Sequence, residues 1–378
     1  MINKHRPRVM VVTGALAQGG GETVSVNLAN ALKRHGCQVA FASERGPLES
    51  RLLSGIPFFA LPLFSLLNIV AVLRALCGAV SGFKPDVVHS QTATHCFLLR
   101  SLFLFRKRPP LILTHHASTT EKIPNFMSGF VFNFIADKIV SIANHRKRDL
   151  LRLGVKSNKL FSVPNFIDIG GWRARGAKVD RAALRKDVGF SRFEYIFLIS
   201  ARLIPSKEVD VFIRAIAGIV KSGRNVAGII LGDGPEFSNL KKIAVSLGLQ
   251  DRILFKGFTV DVLPYYFAAD IFLFPSRHHE VLPMVLIEAG ASGLPMICSD
   301  IPGNDEVVRE GMTGFLLDGP VEDYVAKAIM LLDDSKLYAK FSENAADVAL
   351  KVFDEKVCVS QFVEIYSDAI DKLKTHRR

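Results

Sequence analysis

Two glutamates, Glu280 and Glu288, bracket the stretch Val281-Leu282-Pro283-Met284-Val285, which follows the apolar run Ile271-Phe272-Leu273-Phe274. A short run of β-branched and aromatic residues predicts a buried strand, and Pro283 followed by Met-Val-Leu-Ile-Glu-Ala predicts a helix with proline in its first turn. The unit is strand, loop, helix, and both carboxylates can point into the space above the helix N-terminus. Unpaired N–H groups and the positive dipole end suit a phosphate there. Carboxylates beside an anion site make sense for a ligand that carries hydroxyls as well as phosphates. A nucleotide sugar has both: its diphosphate can sit on the amides of Leu282, Met284 and Val285, while the carboxylates accept hydrogen bonds from sugar and ribose hydroxyls.

The elements that must hold this constellation recur along the chain. Arg8 to Gly14 reads as a strand, followed by Gln18-Gly19-Gly20-Gly21-Glu22 and an apolar-periodic helix from about Thr23 to His35. The glycines do not fit G-x-G-x-x-G, which excludes a dinucleotide fingerprint, but they let the backbone at Gly20 and Gly21 approach a ligand closely. Strands at Gln38 to Ser43, Phe58 to Leu61, Asp86 to His89, Leu111 to His115 and Asp137 to Ser141 alternate with helices, among them Phe64 to Gly82 and one near His95 to Phe105. The charge-free stretch Ile56 to Leu73 is long enough to span a bilayer, but Pro57, Pro62 and Asn68 interrupt it, so a strand and a buried helix are expected. Ligands of such parallel sheets lie at the carboxyl ends of the strands, where His89, His115 and His116 fall.

After Val163-Pro164-Asn165-Phe166-Ile167-Asp168 a Gly- and Arg-rich segment, Gly170 to Lys178, reads as linker and surface. A second alternating series then runs through Tyr195 to Ser200, Val226 to Leu231, Ile253 to Phe255, Ile271 to Phe274 and Met296 to Cys298, and a last helix covers Glu355 to Lys374. The expected class is α/β, with Rossmann-like domains at 1–168 and 169–354 and a terminal helix, 355–378, packing back toward the first.

Five cysteines without a C-x-x-C pair argue against a disulfide framework or structural zinc, and fit a reducing cytoplasm. Residues 1–178 carry 24 Lys and Arg against 8 Asp and Glu, a net +16, whereas 179–378 carry 24 against 28, a net −4. A basic half implies an anionic partner. Basic residues sit beside bulky apolar ones in Phe97 to Arg108 and no nucleic-acid signature appears, so an anionic membrane surface is expected and nucleic acid is not. The candidate patch is Arg100, Arg106, Lys107 and Arg108, with Arg146, Lys147, Arg148 and Arg152 as a second.

Taken together, four stretches resemble the GT-B retaining glycosyltransferases of family 4. Glu280 to Glu288 is similar to that family's E-x7-E motif, continuing into Ala291-Ser292-Gly293-Leu294-Pro295 and Ser299-Asp300-Ile301-Pro302-Gly303. Ser200 to Lys207, Gly232-Asp233-Gly234-Pro235, the glycine loop and Val163 to Asp168 complete the match. The resemblance implies two Rossmann-like domains facing each other across a cleft. It also implies retaining transfer from a UDP- or GDP-sugar with no cofactor and no metal. The acceptor would be a lipid-linked or membrane-bound saccharide of surface polysaccharide assembly, handled by a cytoplasmic protein peripheral on the inner membrane face.

Residue by residue, the resemblance implies that Arg202 and Lys207 hold the donor diphosphate, Glu280 the sugar hydroxyls and Glu288 the ribose. His116 would contact the sugar, and Gly232 and Phe258 join Gly20, Gly21, Leu282, Pro283, Met284 and Val285 as donor-binding residues. Val281 stands where the motif usually has glycine, and Glu208 where glycine or asparagine is common. The alternatives are an epimerase or phosphorylase of the same architecture, or a non-catalytic nucleotide-sugar binder.

Overall fold

The computed structural model describes residues 6–16, 20–103, 108–116, 125–277 and 280–375. Gln18, Gly19, Phe105, Arg106 and Lys107, singled out above, lie outside them. The chain divides into two compact units, one of residues 1–166 with 355–378 and one of 167–354.

The first unit is built on β1 (Arg8–Ala15), α1 (Gly20–Arg34), β2 (Gln38–Glu44), β3 (Phe58–Ala60), α2 (Ile69–Phe83), β4 (Val87–Ser90) and α3 (Ala93–Leu102). It continues with β5 (Leu111–His115), α4 (Asn125–Ile135), β6 (Lys138–Ser141), α5 (Asn144–Arg152) and β7 (Leu160–Ser162). All seven strands are parallel, in the order 3-2-1-4-5-6-7. Both faces are covered, so the strands read as continuous apolar runs, yet the two-residue pleat still sorts them. Val9, Val11 and Phe41 join one core with α1, while Met10, Val12, Ala40 and Ala42 join the other with α2 and α3.

The second unit holds α6 (Ile169–Gly176), α7 (Arg181–Asp187), β8 (Tyr195–Ser200), α8 (Val209–Lys221), β9 (Val226–Leu231), α9 (Phe237–Ser246) and β10 (Ile253–Gly257). Then come α10 (Leu263–Ala268), β11 (Ile271–Phe274), α11 (Met284–Ala291), β12 (Met296–Ser299), β13 (Gly314–Leu317), α12 (Val321–Asp333) and α13 (Ser335–Val352). Its six parallel strands run 10-9-8-11-12-13, the same winding as the first sheet. The last helix, α14 (Glu355–Thr375), belongs to the first unit. It buries Cys358, Phe362 and Tyr366 in the α1 core, and Arg34 Nε on α1 donates to Glu355 Oε1 at 2.9 Å.

Three expectations need correction. Gly170 to Lys178 is no linker: Asp168 caps α6 by accepting the Gly171 amide at 2.8 Å. A Cβ at Gly176 would strike the Phe267 ring at 2.0 Å, so glycine there permits close packing rather than flexibility. Pro283 is the residue before α11 and not in its first turn. In the stretch expected to be a strand and a buried helix, α2 does bury Val72, Leu76, Ala79, Val80 and Phe83, but Leu63, Phe64, Leu66, Leu67 and Val70 are exposed. Strands β7 and β13, at the edges of their sheets, are not among the strands read from the sequence.

Candidate functional site

In the second sheet β8 pairs with both β9 and β11, and the winding direction reverses between β8 and β11. A crevice at the carboxyl ends of two strands that diverge in this way is where open α/β sheets bind ligands. The segments that flank it are 201–208, after β8, and the described residues 275–277 and 280–283, after β11. Lys207 from the first and Glu280 from the second form an ion pair across it, with side chains 18% and 10% exposed. Sequence reasoning gives these residues separate roles and does not foresee their contact.

Glu280 is held from below as well. The Ser276 hydroxyl, fully buried, donates to Glu280 Oε1 at 2.8 Å. Ser299 at the end of β12 donates to the Ser276 carbonyl, and the Asn304 amide donates to the Ser299 carbonyl at 3.0 Å. Gly303, at φ +102°, lies so close that a Cβ would come within 2.5 Å of the Val281 carbonyl oxygen. The Ser299 to Asn304 stretch therefore buttresses the loop that carries Glu280. Lys207 and Ser276 both donate to Oε1, and among the described residues no hydrogen bond reaches Oε2, which keeps its capacity to accept.

The loop after β9 locks the other flank. Leu203 donates its amide to the Asp233 carbonyl at 2.9 Å, and Glu236 donates to the Leu203 carbonyl at 3.0 Å. A Cβ at Gly232 would lie 1.9 Å from the Ala201 carbonyl oxygen, and one at Gly234 2.3 Å from that of Leu203, so both positions exclude side chains. This clasp fixes the backbone from which Arg202 projects; its side chain is exposed and, among the described residues, without a hydrogen bond or ion pair. Phe258, following β10, is half exposed and offers a ring face.

Helix α11 presents its first turn to the same end of the sheet. Leu286 is the first of its residues to bond backward, to the Pro283 carbonyl at 3.2 Å. The amides of Met284 and Val285 precede it at the helix start and suit an anion. Glu288 lies one turn further, half-buried, beside the phenol of Tyr266. Burial first and the Glu288 carboxylate second push the Tyr266 pKa well above its ordinary value, so the phenol is a donor. Tyr266 escapes sequence reasoning because the family motif does not include it.

Within the first unit, Gly20 and Gly21 open α1. Among the described residues a Cβ at either would meet nothing within 4 Å, and neither has a positive φ, so the described packing does not demand glycine there. His116 follows β5, half-buried, with Nε2 2.6 Å from Gln91 Oε1. Burial, and then the neighbouring His115, lower its pKa to about 4, so the imidazole is neutral near pH 7. His89 is structural: its ring bridges the Tyr366 hydroxyl and Thr114 Oγ1, each at 2.6 Å. His115 is buried edge-on to Phe132.

The expected basic patch is partly consumed by the fold. Arg108 and Arg100 both converge on Asp137, Arg108 through two hydrogen bonds and Arg100 at 3.7 Å. Arg108 precedes β5, at the amino end of the sheet, and Asp137 also accepts the Leu111 amide at 2.8 Å. Arg146 and Arg152 flank Asp149 on α5, each at 3.6 Å, while Arg148 is exposed. Among the described residues no cluster of His, Cys, Asp or Glu has the grouping of a metal site.

Comparison with known proteins agrees with this architecture. The family Glycosyl transferases group 1 matches residues 180–348, and Glycosyltransferase Family 4 matches residues 18–170. The chain is 31% identical over 241 residues to the N-acetyl-alpha-D-glucosaminyl L-malate synthase of Bacillus anthracis, a match covering 63% of the chain and 62% of that protein. It is 25% identical over 342 residues to the UDP-Gal:alpha-D-GlcNAc-diphosphoundecaprenol alpha-1,3-galactosyltransferase of Escherichia coli, covering 86% of the chain and 88% of that protein. The crystal structure of Anabaena Alr3699/HepE in complex with UDP superposes with a TM-score of 0.81 at 20% identity, over 96% of this chain and 100% of that one, which shows the fold.

Proposed function

The chain belongs to the family 4 glycosyltransferases of the GT-B fold, and from that premise we propose that it moves a sugar, with retention, from a UDP- or GDP-sugar to a lipid-linked or membrane-bound saccharide at the inner face of the cytoplasmic membrane. The observation that carries the reading is the Lys207–Glu280 pair across the β8–β11 switch. Lys207 and Arg202 supply cations for a leaving diphosphate, and the Met284 and Val285 amides supply dipoles. With Oε1 of Glu280 already accepting from Lys207 and Ser276, the carboxylate is suited to orient a sugar hydroxyl through Oε2 and poorly suited to attack carbon.

Retention then proceeds on one face. The acceptor oxygen bonds to the anomeric carbon as the bond from that carbon to the phosphate oxygen breaks, and the acceptor proton passes to the departing phosphate. Glu288, beside Tyr266, is proposed to accept from the ribose. For His116 the proposed role is a hydrogen bond to the transferred sugar, made as a neutral imidazole. The E. coli relative, named for transfer to a diphosphoundecaprenol-linked sugar, supports the acceptor class.

Thermal-shift titration against UDP-, GDP- and ADP-sugars followed by transfer assays with the best binder tests the proposal, and NMR of the product gives the anomeric outcome. Stabilisation by one nucleotide sugar, α-to-α transfer and turnover unchanged in EDTA are expected. Binding followed by epimerisation or phosphorolysis would move the protein to the alternative class, and turnover that needs added manganese would reject a metal-independent site.

A further inference from the structure

From Leu52 to Leu73 the chain carries no charge, and the following residues to Phe83 add only Arg74. Such a run is ordinarily buried. Here Leu63, Leu66 and Leu67 are 69%, 84% and 96% exposed, joined by Phe64 and Val70. The stretch Leu66–Phe83 is apolar and long enough to cross a bilayer, with 28% of it buried. It does not need to cross: Val72, Leu76, Ala79, Val80 and Phe83 form one stripe that docks α2 on the sheet, leaving its first turn and the preceding loop outside. Contiguous apolar surface of this kind marks an interaction site.

The surroundings say what it meets. Aliphatic side chains dominate the patch, without the Tyr, Trp and Arg that anchor protein interfaces. In sequence the patch is preceded by the exposed Arg45, which pairs with Glu49 at 2.7 Å, and Arg51, and followed by the exposed Arg74. The unit that carries them has 26 Lys and Arg against 11 Asp and Glu, a net +15, while residues 167–354 have 22 against 25, a net −3. Exposed apolar side chains on a unit of net positive charge complement an anionic bilayer.

Its place in the sheet adds a functional sense. The loop follows β3, so it lies at the carboxyl ends of the strands. Leu61 donates its amide to the Ser43 carbonyl at 2.8 Å, Phe64 donates its amide to Glu44 Oε1 at 2.9 Å, and the Phe64 ring lies 6.2 Å from that of His95. His116 follows β5 at this same end, whereas Arg100 and Arg108 gather on Asp137 at the other.

We propose that Leu63, Phe64, Leu66, Leu67 and Val70 insert into the hydrocarbon of an anionic bilayer and so turn the carboxyl end of the first sheet toward the membrane. The inference deepens the proposed lipid-linked acceptor, but its test involves neither donor nor turnover, so the two can fail separately.

The chain has one tryptophan, Trp172, in the second unit. Leu67→Trp therefore adds a reporter over a known background. The probe is vesicles of phosphatidylcholine and phosphatidylglycerol, with and without bromine on the acyl chains. The variant's added emission should shift to the blue and be quenched by brominated lipid, while the native chain's Trp172 emission stays unchanged. The double change Leu66→Ser with Leu67→Ser should lower vesicle partitioning at least about tenfold, since burying one leucine is worth about a factor of ten or more. Both residues are exposed, so its thermal midpoint should equal that of the native chain. An added emission that brominated lipid leaves unquenched, equal sedimentation of the double variant, no vesicle binding, or a dimer that the double variant converts to monomer would each overturn the proposal.

Discussion

Lys207 and Glu280 satisfy one another where neither is well solvated, and the pair bears on what each would do if, as proposed, a donor diphosphate binds there. The ammonium has three donors, so it can keep Glu280 and still reach a phosphate oxygen. Arg202, whose side chain has no partner among the described residues, can turn wholly to the ligand. Losing a charge-assisted phosphate contact costs about 1.5–3 kcal/mol, a factor of about 10 to 150 in affinity. Arg202→Ala is therefore expected to weaken nucleotide-sugar binding by that factor without lowering the thermal midpoint. Lys207→Ala should do both, because it also strands the Glu280 carboxylate. Calorimetric titration with the best donor, alongside thermal unfolding, separates the two effects; native affinity in Arg202→Ala would remove that residue from the site. Beside Lys207, Glu208 adopts φ 45° and ψ 44°, the left-handed region. That conformation accounts for the glycine or asparagine that the family commonly has there, and Glu208 holds it while pairing with Arg277 at 3.0 Å. The left-handed conformation costs a non-glycine residue about 1–2 kcal/mol, and asparagine less. Glu208→Asn should accordingly raise stability by about 0.5 kcal/mol after loss of the half-exposed ion pair, visible as a higher denaturant midpoint. Val281 has no positive φ, so nothing in the loop's own conformation demands the family's usual glycine.

At the scale of elements, the strands and their order of appearance are legible because buried parallel strands are dense apolar runs, and the helix start at Met284 is legible from its proline. What pairs with what is not. Lys207 and Glu280 are far apart in sequence, and only the β8–β11 adjacency brings them together. Charge reads as surface, but Arg100 and Arg108 are spent on Asp137, and a run of glycines and arginines that reads as linker is a capped helix held by Trp172, whose indole donates to Ser292 at 2.8 Å. Histidines at strand ends read as ligand-facing, whereas His89 ties α14 to β4 and β5. Burial lowers the pKa of His89 to about 3 and, with Arg146 second, that of His115 to about 4. Both folded values lie below the unfolded value of about 6.5, so the unfolded chain binds more protons between them and stability falls as pH drops from about 6.5 toward 4. Each contributes a slope of up to about 1.4 kcal/mol per pH unit in that window and nothing above it. Denaturant unfolding at pH 7.5, 6.0 and 5.0 should show the loss beginning only below 6.5. His115→Phe should make it shallower, and a pH-independent stability down to 5 would mean the rings are not buried neutral.

At the scale of the whole molecule, sequence order and structural membership part company at the end of the chain. The chain leaves the first unit after Phe166, and it returns at Glu355. Ile167 and Asp354, at the entrance and exit of the second unit, form a parallel bridge, with the Ile167 amide donating to the Phe353 carbonyl at 3.1 Å. The second unit is thus a closed insertion, and α14 completes the first. Cys358, Val359, Phe362, Ile365, Tyr366 and Ala369 are buried in the core that also holds Val9, Val11 and Leu28, and Tyr366 reaches His89. Fully burying one large apolar side chain is worth about 1.5–3 kcal/mol, so the four largest of these represent roughly 6–12 kcal/mol, comparable with the stability of an entire domain. A chain ending at Asp354 is therefore expected to lose the first unit and keep the second. Calorimetry of the full chain should resolve unfolding of both units. The shortened chain should retain one transition, assigned to residues 167–354 by Trp172 fluorescence, and should bind 8-anilinonaphthalene-1-sulfonate through the exposed α1 face. A shortened chain that unfolds like the full one would show that α14 is an accessory and not part of the core of the first unit.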